Sequence, residues 1–198
     1  ESKPVTAEPE EQAVVVLDAG HGGADGGAVG LKTGVVEAGL NLTMVRLVEA
    51  ALHGQGVRVV LTRTDENALA QGKNADMRAR KEIISAPDVD LVVSIHMNKF
   101  SDRTVSGPMV FYMKGSEPGQ RFAEIMVRNV CEAIGRPNRI ANPGDYFMIR
   151  ECSAPAVIVE CGFLSNAEDE LLLQDPAHQK KLAQGIAAGI LEYIKAQP

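Results

Sequence analysis

From residue 13 onward, short β-branched runs alternate with longer amphipathic stretches. This alternation limits the fold more than any other feature of the chain. AVVVLD (13–18), VRVVLTR (57–63), DLVVSIHMN (90–98), GPMVFYM (107–113) and APAVIVECG (154–162) read as strands, and YFMIR (146–150) reads as a further short one. Between and after them, EAGLNLTMVRLVEAALHG (37–54), NADMRARKEIIS (74–85), EPGQRFAEIMVRNVCEAIG (117–135) and PAHQKKLAQGIAAGILEYI (176–194) carry apolar residues at helical spacing. In the first of these, Leu40, Met44, Leu47, Val48, Ala51 and Leu52 share one side, and a glycine follows the end. Strand–helix alternation with nearly continuous apolar strands predicts an α/β fold with a mostly parallel sheet covered by helices on both faces. The polar lead ESKPVTAEPEEQ, with two prolines, reads as a disordered linker over residues 1–12. Residues 13–196 then form a single domain, a size that supports one sizeable core.

In such sheets ligands bind beyond the carboxyl ends of the strands. His21 follows the first strand inside LDAGHGGADGG, His96 ends VVSIHMN, and Glu160 ends AVIVECG. Glycine gives an imidazole nothing to pack against and costs backbone entropy to order, so a packing role for His21 is hard to supply. Glu160 stands at the end of a buried run, where an unpaired carboxylate is costly. Glu37 opens the first long helix, where the helix dipole favours a carboxylate. Two histidines and one carboxylate with an open fourth position form a recurring ligand set for catalytic zinc, and a further carboxylate is then needed to take a proton from water. Spacing leaves open which of Glu37 and Glu160 is the ligand and which the base. The histidines lie too far apart for a local HExxH motif.

Other features narrow the function classes. The net charge of −6 argues against a nucleic-acid partner. No apolar run reaches the ~20 residues that span a bilayer. The GxGxxG, GxxxxGK[ST] and G-x-S-x-G signatures are absent. The odd set Cys131, Cys152 and Cys161 is no disulfide framework; Cys131 and Cys161 read as small buried hydrophobes. His53 reads as a residue at a helix end and His178 as a surface residue.

LDAGHGGADGGAVG, VVEAGLNL, VVSIHMN and PAVIVECGFLSNAEDE, in that order and at those separations, resemble the catalytic domain of zinc-dependent N-acetylmuramoyl-L-alanine amidases. The resemblance implies a phosphorylase/hydrolase-like fold with a six-stranded sheet. It implies zinc held by His21, Glu37 and His96, and Glu160 as general base and acid toward a zinc-activated water. The implied substrate is peptidoglycan, cut between N-acetylmuramic acid and the L-alanine of the stem peptide. The resemblance places the protein outside the cytoplasm, in the cell wall or spore cortex, and leaves room for an activating or positioning protein. Arg150 and Asn98 are candidate substrate-binding residues, and Asp18 is a candidate to orient the first loop or bond a ligand histidine. Lys99, Arg103, Arg150 and the RPNR stretch are candidates for a basic groove wall. The chain departs from the family pattern at Ala38 and Gly39, where a charged pair is usual, and at Met97, a bulky neighbour of His96 expected to narrow the pocket. Readings outside this resemblance are another zinc amidohydrolase or peptidase, or an inactive peptidoglycan-binding module.

Overall fold

The computed structural model describes residues 12–197; residues 1–11 of the polar lead lie outside the described residues. The strands are β1 (Ala13–Ala19), β2 (Val57–Leu61), β3 (Leu91–Asn98), β4 (Met109–Met113), β5 (Asn142–Gly144) and β6 (Ala156–Phe163). The helices are α1 (Glu37–Leu52), α2 (Lys73–Ile84), α3 (Glu117–Ala133), α4 (Phe147–Arg150), α5 (Ala167–Leu172) and α6 (Pro176–Lys195). The six strands form one sheet in the order β2-β1-β3-β6-β4-β5. β2, β1, β3 and β6 run parallel, β4 is antiparallel to β6, and β5 runs parallel to β4.

Side chains alternate across each strand, and the two faces have different cover. Val15, Leu17, Val93, Ile95, Val157 and Val159 face α1, α3 and α6 and make the larger core. Val16, Val92, Ala156 and Ile158 face the smaller layer, with Ile84 of α2 and Met148 and Ile149 of α4. On that face the next outward positions are polar: Asp18 on β1, Ser94 and His96 on β3, Glu160 on β6. The same alternation corrects one expectation. Met97 lies on the opposite face from His96, 2 % exposed within the larger core, and does not narrow the site.

Three elements differ from the sequence reading. YFMIR is not a strand: Phe147–Arg150 forms the helical turn α4, which buries Met148 and Ile149. The edge strand is the preceding Asn-Pro-Gly, where a proline is tolerated because β5 has a free edge. The short helix α5 was also unforeseen. Asn166 caps it by accepting from the Glu168 and Asp169 amides. Ser116 caps α3 by accepting from the Gly119 amide, and Asp175 caps α6 by accepting from the Ala177 amide, with a proline in the first turn of each. His53 ends α1.

Candidate metal centre

β3 and β6 are neighbours with His96 in register with Glu160, and a register shift follows between His96 and Asn98. Strand pairing alone therefore puts the second histidine beside the second glutamate. His21 reaches them from the loop after β1. Gly20 donates its amide to the Ile95 carbonyl (3.2 Å), tying that loop to β3.

Glu37 arrives at the N-terminus of α1. Val36 supplies no side-chain cap, and the loop replaces it: the Glu37 and Ala38 amides donate to the carbonyls of Ala28 and Gly26. The Glu37 carboxylate in turn accepts from the Ala28 amide (2.7 Å), the Met97 amide (3.2 Å) and the Asn41 side chain (3.3 Å). One of its oxygens lies 2.9 Å from His96 Nδ1 and 3.3 Å from His21 Nε2.

Two glycines make this approach possible. A Cβ on Gly20 would stand 2.1 Å from His96 Cε1, and one on Gly27 would stand 2.4 Å from Glu37 Oε2. The glycine-rich setting of His21 is thus a cradle: it lets imidazole and carboxylate lie directly on the backbone.

Donor atoms of His21, Glu37 and His96 all lie within 4.8 Å of one another. A tetrahedral zinc site with bonds of about 2.0–2.1 Å separates its ligand atoms by roughly 3.4 Å, so small shifts close the set around an ion. Two imidazoles and a buried carboxylate are also the right donor types, and the fit to zinc holds. Asp25 Oδ2 stands 3.0 Å from His21 Nδ1 and orients the ring with Nε2 toward Glu37. Sequence reasoning missed Asp25, because an i,i+4 pair in a glycine loop shares no helical face.

Charge is strongly coupled here. Burial pushes the Glu37 carboxyl up, but the hydrogen bonds to His21 and His96 outweigh it and hold the group well below the usual carboxylate range. The hydrogen bond to Glu37, opposed by burial and helped by Asp25, raises His21 to about 9. For His96, burial lowers the pKa, and the bond to Glu37 with the charges of Glu160 and Glu37 turns the shift upward. Burial pushes Glu160 up to about 7, with His96 pulling down and Glu37 pushing up. Among the described residues, Glu160 Oε2 is buried without a hydrogen-bond partner.

The cleft over these residues has a volume of about 800 Å³. His21, His96 and Glu160 line its base. Phe111, Tyr146, Phe147, Met148 and Ile158 form an aromatic and apolar wall; Lys73, Asp76 and Arg80 lie on the side of α2. Asp18 bonds no histidine. It accepts from Ser94 (2.5 Å), Thr62 (2.8 Å) and Arg80 (2.5 Å) beneath the loop.

The remaining candidates lie apart from the cleft lining. Arg150 is paired with Asp145 (2.6 Å) and Glu151 (3.0 Å). Asn98 accepts from the Lys99 amide through its side chain and from the Leu164 amide through its carbonyl. Arg136 and Arg139 of the RPNR stretch bond Ser106, and Arg136 also pairs with Asp169. Arg103 lines a separate surface hollow near Leu31 and Glu170. Cys131 and Cys161 are buried.

The model of the family described as N-acetylmuramoyl-L-alanine amidase matches residues 15–192. The germination-specific N-acetylmuramoyl-L-alanine amidase of Bacillus subtilis is 32% identical over 193 residues, covering 91% of this chain and 79% of the relative. Among solved structures, the CwlD amidase of Clostridioides difficile, in complex with the GerS lipoprotein, superposes with a TM-score of 0.88 at 31% identity, covering 93% of this chain and all of that one. The catalytic domain of CwlV, an N-acetylmuramoyl-L-alanine amidase from Bacillus (Paenibacillus) polymyxa var. colistinus, gives 0.84 at 36% identity, covering 93% and 99%. With a matching family model over nearly its whole length and the His21, Glu37 and His96 cluster in place, the chain belongs to the zinc-dependent N-acetylmuramoyl-L-alanine amidase family.

Proposed function

We propose that the chain hydrolyses the amide between N-acetylmuramic acid and the L-alanine of the stem peptide in peptidoglycan, with Glu160 as general base and then general acid. The observation that carries this reading is the buried, unpartnered Glu160 oxygen beside His96 at the base of the cleft. A zinc ion held by His21, Glu37 and His96 would supply Lewis-acid polarisation of the carbonyl and a water acidified toward pKa ~7. In the metal-free chain burial raises the Glu160 carboxyl toward neutral pH, the direction that favours a general base. Glu160 accepts the proton from the attacking water and returns it to the leaving nitrogen of L-alanine. Asp25 and Glu37 keep the His21 ring in one orientation. The wall of Phe111, Phe147, Met148 and Ile158 packs the lactyl and alanine methyl groups and excludes bulk water. Lys73 faces the anionic stem peptide from the other side.

We further infer a site of action outside the cytoplasm, in the cell wall or spore cortex; one relative is named for germination. The CwlD amidase is bound to the GerS lipoprotein, and by analogy we infer a partner protein for this chain.

Mass spectrometry of peptidoglycan treated with the zinc-loaded chain tests the bond. Free stem peptides beginning with L-alanine, left beside unsubstituted glycan, are the expected products. Cuts within the stem peptide or between sugars would overturn the reading.

A further inference from the structure

His21 is the one non-glycine residue among those described with a positive φ, 62°. A side chain rarely holds this left-handed conformation unless its surroundings impose it. Two buried arginines do so here. Arg80 of α2, 2 % exposed, donates Nη2 to the His21 carbonyl (2.6 Å) and Nη1 to the Ala19 carbonyl (2.8 Å). Its guanidinium is itself fixed by Asp18 (2.5 Å) and Asp76 (2.8 Å). Arg63, two residues beyond β2, donates to the carbonyls of Ala19 (2.9 Å), Gly20 (3.1 Å) and Ala38 (2.8 Å). The last of these joins the His21 loop to the first turn of α1, next to Glu37. Between them, the two guanidiniums engage all three carbonyls from 19 to 21.

We propose that Arg80, with Arg63 beside it, is a positioning residue for metal binding: it holds His21 in its left-handed ligand conformation through the His21 carbonyl. The planar fork is what the task requires. It spans two carboxylates and two carbonyls at once, which a lysine ammonium on a single stem cannot do. The positions of Asp18 and Asp76 follow from the same logic, since each accepts from the fork and fixes its plane. The proposal rests on His21 being a metal ligand, as the proposed function requires.

The test reads zinc affinity, without substrate, by chelator competition on the purified chain. Arg80→Lys is expected to lower affinity about 10- to 100-fold, the usual effect of losing a group that orients a ligand, with far-UV circular dichroism unchanged. The cobalt-loaded variant should also show an altered d–d spectrum. His21→Gly, which tolerates the left-handed backbone, supplies the decisive background: there Arg80→Lys should change affinity less than about twofold, because its action runs through His21. An equal loss in both backgrounds would show a general structural role and overturn the proposal, as would unchanged affinity in Arg80→Lys alone. Arg63→Lys, tested in the same two backgrounds, carries the question if Arg80→Lys does not fold. Loss of the fold in both would assign the pair to the core and overturn the proposal. If His21→Gly itself leaves zinc affinity unchanged, the ligand assignment fails and the proposal with it. A chain that passes these tests yet cuts another bond overturns only the proposed substrate.

Discussion

At the scale of single residues, the site is built by what is missing as much as by what is present. Gly20 and Gly27 leave the space that His96 and Glu37 occupy. Gly20→Ala is therefore expected to abolish zinc binding, because a methyl group 2.1 Å from His96 Cε1 must displace the ring. Metal content after dialysis against a zinc buffer checks this; retained stoichiometric zinc would contradict the cradle. Arg150 gives the opposite expectation. Its guanidinium is engaged by Asp145 and Glu151, so Arg150→Ala should leave turnover close to wild type, measured as kcat/KM on a muramyl-peptide substrate. The sequence showed His21, Glu37 and His96 plainly, because a histidine among glycines, a histidine at a strand end and a carboxylate at a helix start are each unusual where they stand. It did not show Asp25, Arg63 or Arg80. Asp25 reaches His21 within one glycine loop, Arg63 reaches from beyond β2 to the first turn of α1, and Arg80 reaches from α2 to the His21 loop; no helical or strand spacing records such contacts.

At the scale of elements, alternation along β1, β3 and β6 sends the polar ends of these strands to the face that α2 and α4 only partly cover. That same alternation buries Met97 away from the site. The sequence made the inner strands and long helices legible because their burial leaves nearly continuous apolar runs or clear helical spacing. It hid α4 and β5, each four residues or fewer, whose form is decided by neighbours: Met148 and Ile149 fill the smaller core, while Asn-Pro-Gly takes the open edge. Helix packing gives a further test. Gly185 of α6 lies so close to α3 that a Cβ would stand 2.9 Å from the Asn129 carbonyl and the Val130 Cα. In an open helix Gly→Ala stabilises by about 1 kcal/mol. Here overpacking costs about 1–3 kcal/mol against backbone that cannot move aside, so Gly185→Ala should be net destabilising. A lower urea midpoint checks this, and a raised midpoint would contradict the close contact.

At the scale of the whole molecule, the metal centre links stability to pH. In the metal-free chain His21 is raised from 6.5 to about 9, and its contribution is fully present below its unfolded pKa and lost as pH rises through the folded value. Glu160, raised from 4.5 to about 7, has the same sign and loses its contribution earlier. Thermal unfolding of the metal-free chain should therefore fall to lower temperature between pH 6.5 and about 9. Zinc should reverse the trend, because imidazole ligands must be deprotonated. At about 1,000 times its Kd, zinc should add about 4 kcal/mol. A metal-free chain that gains stability over that window would contradict the coupling of His21 to Glu37. In the proposed function two glutamates, brought to one centre from a helix start and a strand end, do two different jobs. Zinc content and kcat measured side by side for Glu160→Gln and Glu37→Gln separate the two. Glu160→Gln should keep stoichiometric zinc and lose about 10²- to 10⁴-fold in kcat, while Glu37→Gln should lose the zinc itself; zinc lost from Glu160→Gln and kept by an inactive Glu37→Gln would contradict the assignment.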